Sequence, residues 1–157
     1  MSQTSPQDRS LVRELIVAVF RANGAIVISG DQLVANLNLT SSLWQVLDAL
    51  ERSAETLTVA EIARSMGLAR QSVQRSADLL SKQGLVTYQH NPMHKRANLV
   101  CLNAAGRRML ASVHALEFTA IDHVLAQLSP ESVATATSVL AVLTEELFRQ
   151  IDAGEPL

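Results

Sequence analysis

A short stretch of the sequence is rich in side chains that could read the edges of DNA bases. It contains Arg70, Gln71, Ser72, Gln74 and Arg75. An arginine can donate two hydrogen bonds to guanine O6 and N7, and a glutamine amide can make the same two-point contact with adenine N6 and N7. A serine hydroxyl can reach a phosphate or a base edge. If these side chains share one element, they predict a surface that binds double-stranded DNA.

The apolar residues of this region predict a helix that would present the donors. On a helical wheel, Ala77 and Leu80 fall within about 40° of Val73, which gives a narrow apolar stripe. Gln71 and Arg75 fall on the opposite side. The first turn of such a helix usually points deepest into the major groove. The alternative interpretation is an ordinary helix face exposed to solvent, so the surrounding elements must decide.

One acidic residue lies on the polar side of the predicted helix. Asp78 stands four residues before Lys82, a spacing at which opposite charges pair on a helix surface. Asp78 can therefore pair with Lys82 and need not contact DNA.

The residues before this helix predict a second helix and a tight turn. Thr58 and Glu61 have the spacing of a capping box, in which each side chain bonds to the backbone amide of the other residue. Gly67 supplies the permissive backbone that a sharp helix exit needs. The next helix is predicted to begin near Ala69. Two helices joined by so short a turn indicate a helix-turn-helix.

The residues after this helix predict a β-hairpin. Strand formers occupy residues 85–89 and 98–102, and Asn91-Pro92 marks a turn between them. The tip of the hairpin carries Lys95 and Arg96, which could enter a minor groove or lie along a phosphate backbone. The alternative is a polar turn whose charges serve only solubility. A hairpin directly after a helix-turn-helix is a wing.

The charges of the chain are distributed unevenly. Residues 64–108 hold eight basic residues and one acidic residue, a net charge of +7. The rest of the chain holds five basic and fourteen acidic residues, a net charge of −9. Such asymmetry is typical of a surface that binds a polyanion. Arg64, Arg107 and Arg108 are interpreted as phosphate contacts or surface charges rather than as base readers.

Helices are predicted on both sides of the winged segment. Residues 1–7 are interpreted as a loose tail, and a helix is predicted from Asp8, with a kink or break where Gly24 and Gly30 interrupt its pattern. Thr40 is predicted to cap the following helix.

Two further helices follow the wing, a long one over residues 104–128 and a last one that begins at Pro130. Their broad apolar stripes, and that of the first helix, predict a partner surface and a dimer. Packing of these helices within one protomer is the alternative.

Composition and motifs restrict the remaining function classes. Aromatic residues make up only 3% of the chain, and Phe20 and Trp44 are the candidates for lining a ligand crevice, although plain core packing is the simpler interpretation. Cys101 is the single cysteine, so no disulfide framework or Cys-rich zinc site is predicted. We predict no metal, cofactor or membrane span, no export signal, and hence a cytoplasmic location. Motifs for enzymatic catalysis are absent from the sequence, although many active sites lack short motifs.

The ordered set of these motifs resembles the multiple antibiotic resistance regulator (MarR) family. The matching segments are residues 40–47, 57–63, 66–68, 70–75, 84–86, 91–97, 99–100 and 105–106. The resemblance covers roughly residues 8–150. One departure lies in the wing, where the family usually has an Asp-Arg pair and this chain has His94-Lys95 followed by Arg96. We hypothesise that Lys95 or Arg96 takes over as the minor-groove probe.

The resemblance implies a mainly α fold with a small β-hairpin wing, that is, a winged helix-turn-helix plus a helical dimerisation region. Residues 38–103 would form the DNA-binding domain, and residues 1–37 and 104–157 the dimerisation region. It also implies a homodimeric transcriptional regulator, more often a repressor, that binds pseudo-palindromic operators and can be released by a small aromatic ligand. Two alternatives stay open: a winged-helix module for protein contacts without DNA binding, and an enzyme that lacks recognisable motifs.

Overall fold

The computed structural model of the chain describes residues 5–53, 56–94 and 97–154. Within them the fold is mainly helical with one small antiparallel sheet, as predicted. In chain order the elements are α1 (Pro6–Val34), a 3₁₀ turn (Ala35–Leu37), α2 (Ser41–Arg52), β1 (Thr56–Thr58), α3 (Val59–Met66), α4 (Arg70–Lys82), β2 (Val86–Gln89), β3 (Leu99–Leu102), α5 (Ala104–Leu125) and α6 (Pro130–Ala153). The chain divides into two compact units, Met1–Leu116 and Glu117–Leu157.

Helix α1 starts two residues earlier than the sequence pattern predicts. Ser5 and Asp8 form a capping box, and Pro6 occupies the first helical turn, where its missing amide hydrogen is not needed. The assignment of residues 5–7 to a loose tail is therefore wrong. The helix also passes through Gly24 and Gly30 without a break.

The start of α2 is held differently from the prediction. Thr40 occupies the capping position, but its side chain makes no capping hydrogen bond, and its hydroxyl lies 3.0 Å from Ser42 Oγ instead. The backbone amide of Ser41 donates to Asp31 Oδ1 of α1 at 2.6 Å. The Asp31 carboxylate of α1 thus accepts a hydrogen bond from the first turn of α2, the role predicted for the Thr40 side chain. The hydrogen bond from the Ser41 amide holds the pKa of Asp31 below its usual value.

Helices α1 and α2 approach each other closely at a glycine. Gly30 is buried, and the Ser41 hydroxyl beside it donates to the Val27 carbonyl at 2.9 Å. A methyl group on Gly30 would lie 2.5 Å from Ser41 Oγ and 3.3 Å from two atoms of the Trp44 ring. The contact between these helices therefore depends on the missing side chain.

The helix-turn-helix forms as its sequence signals predict. The Thr58 hydroxyl accepts from the Glu61 amide at 3.2 Å, and Glu61 Oε2 accepts from the Thr58 amide at 2.7 Å, which completes the capping box that starts α3. Gly67 ends α3 in the left-handed conformation, with φ 64°. Helix α4 then begins at Arg70.

A three-stranded sheet takes the place of the simple hairpin. Its order is β1-β3-β2, and both pairings are antiparallel. Strand β1 was not predicted, because three residues ahead of a capping box carry no strand pattern of their own. Leu57 pairs with Val100 across the sheet, so a long-range partner defines this strand. Residues 86–89 and 99–102 match the two predicted strand runs closely.

The junction between the sheet and α5 is tightly packed. Asn103 precedes the helix, and its side-chain oxygen accepts from the amides of Ala105 and Gly106, each at 2.9 Å. Its side-chain nitrogen donates to the Gly84 carbonyl at 2.9 Å. A Cβ on Gly106 would lie only 2.2 Å from the Leu85 carbonyl oxygen, so only glycine fits there.

The buried apolar core lies within the first unit. It is built from α2, α3, α4 and the sheet, together with the end of α1 and the start of α5. None of the described residues of the second unit is buried. No described helix is both long and apolar enough to cross a membrane.

Candidate nucleic-acid interface

Helix α4 buries one stripe and exposes every predicted DNA-contacting side chain that it carries. The buried residues are Val73, Ala77 and Leu80, as the helical wheel predicts. The exposed ones are Arg70, Gln71, Ser72, Gln74 and Arg75. Burial of the apolar stripe against the core fixes the rotation of the helix about its axis. The donor side chains therefore lie on a rigid element and remain accessible.

The first turn of α4 is open at its N-terminus. Ala69 occupies the capping position, and no described side chain caps this end of the helix. Helix N-termini carry backbone amides without an intrahelical partner and a partial positive charge. Arg70 lies at the same end. This end of the helix is therefore electrostatically suited to a phosphate oxygen.

Three polar side chains connect α4 to strand β2. The Tyr88 hydroxyl donates to Asp78 Oδ1 at 2.7 Å, and Gln74 Nε2 donates both to Asp78 Oδ1 and to the Tyr88 oxygen, each at 2.9 Å. We call this group the Gln74–Asp78–Tyr88 network. The network links Gln74, a candidate base-reading residue, to strand β2 of the wing.

The network changes the pKa values of both its ionisable members. Hydrogen bonds from Tyr88 and Gln74 lower the pKa of Asp78, and the charge of Lys82 lowers it slightly further. Partial burial and the neighbouring Asp78 carboxylate raise the pKa of Tyr88 to about 12. The main partners of Asp78 are therefore Tyr88 and Gln74, and the predicted partner Lys82 has a smaller effect on its pKa. Tyr88 was absent from the predicted site because its contact spans two elements.

The network forms one wall of an open groove beside α4. The groove has a volume of about 290 Å³, and its lining includes Arg70, Gln74, Asp78 and Tyr88. Polar groups dominate this lining, so the groove suits a polar or charged ligand rather than an apolar one.

The wing turn is organised by a buried asparagine. The side-chain oxygen of Asn91 accepts from the Met93 amide at 2.9 Å, and its carbonyl accepts from the His94 amide at 3.3 Å. The predicted wing contacts Lys95 and Arg96 lie outside the described residues.

The two predicted ligand-crevice residues lie apart within one protomer. Phe20 is exposed on α1, whereas Trp44 is partly buried against the core beside Gly30. Phe20 precedes Gly30 by ten residues of continuous helix, which is about 15 Å along the axis. Cys101 is buried in β3.

One cluster of charged groups was not apparent in the sequence. Asp48 and Glu51 of α2 and His114 of α5 bring ligand-type atoms within 4.8 Å of one another. Asp48 already pairs with Arg52, and His114 Nε2 lies 3.6 Å from Asp48. The Asp48–Arg52 salt bridge and the contact of His114 with Asp48 account for this cluster.

Together, the buried stripe, the short turn, the exposed donor face and the three-stranded sheet define a winged helix-turn-helix protein. A family model described as the MarR family matches residues 37–97. An uncharacterised protein of Mycobacterium tuberculosis is 36% identical over 102 residues, which cover 65% of this chain and 70% of the relative. The chain belongs to the MarR family of winged-helix transcription regulators.

Solved structures of the family share this architecture. A mutant of E. coli MarR in complex with operator DNA is similar with a TM-score of 0.67 and 25% identity, covering 82% of this chain and 94% of that one. Bordetella bronchiseptica BpsR is similar with a TM-score of 0.72 and 19% identity, covering 83% and 98%. The BpsR structure concerns the regulation of that protein's DNA binding by 6-hydroxynicotinic acid.

Proposed function

We propose that this protein is a sequence-specific DNA-binding regulator that acts as a homodimer and represses the genes whose operators it binds. The observation that carries the proposal is the donor-rich, exposed face of α4, which lies opposite a fully buried stripe. Membership of the MarR family and the similarity to an operator-bound relative support it. Such a regulator acts where the chromosome is, so we expect a cytoplasmic protein.

The proposed interface assigns a role to each donor. Arg70, Gln71 and Ser72 enter the major groove with the first turn of α4, and Gln74 and Arg75 follow one turn later. Lys95 and Arg96 are the proposed wing contacts in the minor groove or on the phosphates. The positive charge of residues 64–108 steers the protein towards DNA.

A homodimer would present two such helices to one face of the duplex. The proposed dimerisation region consists of residues 1–37 and 104–157, and residues 38–103 form the proposed DNA-binding domain. Two-fold symmetry would separate the two α4 helices by one turn of DNA, about 34 Å, and would match a pseudo-palindromic operator.

Release by a small aromatic ligand is the proposed mode of regulation. The regulation of BpsR by 6-hydroxynicotinic acid supports this ligand class, and Phe20 and Trp44 are the candidate lining residues. Because Trp44 is the only tryptophan, its fluorescence reports on binding directly. Titration with 6-hydroxynicotinic acid tests the class, and unchanged fluorescence together with unchanged DNA binding would argue against it.

DNA binding with a steep salt dependence is the central expected result. Duplexes selected from a random-sequence library by the full-length protein supply the probe, and fluorescence anisotropy measures affinity between about 50 and 200 mM salt. Arg70→Ala and Arg75→Ala should each weaken binding about tenfold or more, because each removes a charged donor from the interface. Arg52→Ala on α2, which removes an exposed charge that pairs with Asp48 and lies outside α4, the wing and the proposed dimerisation region, is the matched control.

Each outcome of this experiment separates the proposal from its alternatives. Absence of binding at low salt would favour a protein-interaction module or an enzyme. Unchanged affinity in both α4 variants would remove this helix from the recognition role. If Lys95→Ala and Arg96→Ala both leave the affinity and the salt slope unchanged, the wing hypothesis fails while the role of α4 stands.

A further inference from the structure

The nitrogen of the Gln74 side-chain amide already has two hydrogen-bond partners within the protein. This Nε2 atom lies 2.9 Å from Asp78 Oδ1 and 2.9 Å from the Tyr88 oxygen. We propose that Asp78 and Tyr88 are positioning residues that hold Gln74 in one amide orientation, so that Gln74 reads a base edge only as a hydrogen-bond acceptor. This inference rests on the DNA-binding function proposed above and specifies how one of its residues reads sequence.

The chemistry of the network allows only one direction for its hydrogen bonds. An ionised carboxylate can only accept, so both groups that contact Asp78 must donate to it. The Tyr88 hydroxyl has a single proton, which is directed to Asp78 at 2.7 Å. The Tyr88 oxygen is therefore left to accept from Gln74. A flipped Gln74 amide would lose both of its hydrogen bonds and would place its carbonyl oxygen against a carboxylate.

Asp78 and Tyr88 offer one acceptor each to the two hydrogens of the Gln74 amide, and in the proposed arrangement both hydrogens are engaged there. Reading adenine at two points needs an amide hydrogen for N7 and a carbonyl oxygen for the N6 amine. With the hydrogens directed to Asp78 and Tyr88, only the carbonyl oxygen remains for DNA. It can accept from the exocyclic amine of adenine or cytosine. Among the described residues the side chain of Gln71 makes no such contacts, so Gln71 keeps the full two-point capacity.

The position of the network in the fold argues that it persists on DNA. Asp78 lies four residues after Gln74 on α4, and Tyr88 belongs to β2, whose partner β3 is the central strand of the sheet. Tyr88 packs against the hydrophobic core through its ring. Tyr88 is thus held by the packed protein, whereas Gln74 and Asp78 are exposed on α4.

Synthetic duplexes with single atoms removed test this inference. The probe is a duplex selected from a random library by the wild-type protein, and the contacted base pair is the one at which Gln74→Ala loses discrimination. Replacing its adenine by purine, or its cytosine by 2-pyrimidinone, removes the exocyclic amine. We expect a loss of about fivefold in wild-type affinity, because one hydrogen bond is lost. Replacing N7 of the purine by CH should change affinity by less than about twofold.

Variants of the network supply the complementary result. In the Asp78→Ala, Tyr88→Phe double variant, the amide hydrogens of Gln74 are released and can reach N7. Removal of N7 should then weaken binding about fivefold at an adenine. The affinity of the Gln74→Ala variant should not change with either base replacement. This variant therefore controls for altered stability of the duplex itself.

The possible failures are distinguishable. If no duplex is bound at low salt, the proposed function fails. If wild-type binding is as sensitive to the loss of N7 as to the loss of the amine, or if Gln74→Ala leaves discrimination intact at every base pair, the inference is overturned and the proposed function stands. Should the double variant fail to fold by circular dichroism, the comparison of wild type with Gln74→Ala still decides.

Discussion

At the scale of single residues, the Tyr88 phenol shows how a neighbouring charge alters proton binding. Partial burial disfavours the phenolate, and the hydrogen bond to Asp78 and the Asp78 charge disfavour it further, so the pKa of Tyr88 rises to about 12. Because the folded pKa exceeds the unfolded value near 10, the stabilisation is complete below about pH 10 and is lost as the pH rises towards 12. For Asp78 the pKa is lowered, so its contribution is lost only in acid. The network is therefore intact at neutral pH.

Titration of Tyr88 can be followed without interference. Tyr88 is the only tyrosine in the chain, so the ultraviolet absorbance of phenolate reports on it alone. At pH 11 we expect about a tenth of the tyrosine to be ionised in the folded protein and about nine-tenths in urea, as pKa values of about 12 and 10 require. Asp78→Ala should move the folded midpoint towards 10. A folded midpoint already near 10 in the wild type would show that neither burial nor Asp78 acts on this phenol as described.

At the scale of elements, two glycines in α1 have opposite roles. A Cβ at Gly24 would meet no described atom within 4 Å, whereas a Cβ at Gly30 would lie 2.5 Å from Ser41 Oγ. The sequence pattern treats both as helix breakers, and the structure keeps the helix continuous through both. Only the packing of α2 against Gly30 distinguishes them.

Alanine at each glycine should therefore change stability in opposite directions. Gly24→Ala should raise the free energy of unfolding by about 0.5–1 kcal/mol, because alanine loses less backbone entropy in a helix. Gly30→Ala should lower it by about 1–3 kcal/mol, because the added methyl group displaces Ser41 and its hydrogen bond to Val27. Urea unfolding at one fixed protein concentration measures both. Equal stabilisation by the two substitutions would contradict the close approach of α1 and α2.

Local motifs of the elements could be read from the sequence, and longer-range contacts could not. The Thr58–Glu61 capping box and the buried stripe of α4 depend on residues three or four apart, so spacing alone identifies them. Strand β1 and the Asp31 contact with Ser41 depend on partners in other elements. The same limit applies to the candidate interface. Its exposed donors were predictable, whereas the contact of Tyr88 with Gln74 was not.

At the scale of the whole molecule, the second unit leaves its apolar residues uncovered. None of the described residues from 117 to 154 is buried, and Val142 and Ile151 of α6 are about two-thirds exposed. Helices of this length gain most of their stability from packing an apolar face. Helix α1 also exposes large apolar residues, among them Leu11 and Phe20. This surplus supports the proposed pairing of two copies through the flanking helices.

A charge placed on these helices should therefore weaken the dimer. We expect the wild type to sediment as a dimer at micromolar concentration, and Leu11→Glu or Ile151→Glu to raise the dissociation constant about a hundredfold or more. Each dimer carries the substitution twice, and each copy forfeits about 1.5 kcal/mol or more of apolar burial. Met93→Glu is the matched control, because Met93 is an exposed apolar residue of the wing. Sedimentation velocity across a concentration series measures the constants. A monomeric wild type, or equal weakening of the dimer by Met93→Glu, would refute pairing through the flanking helices.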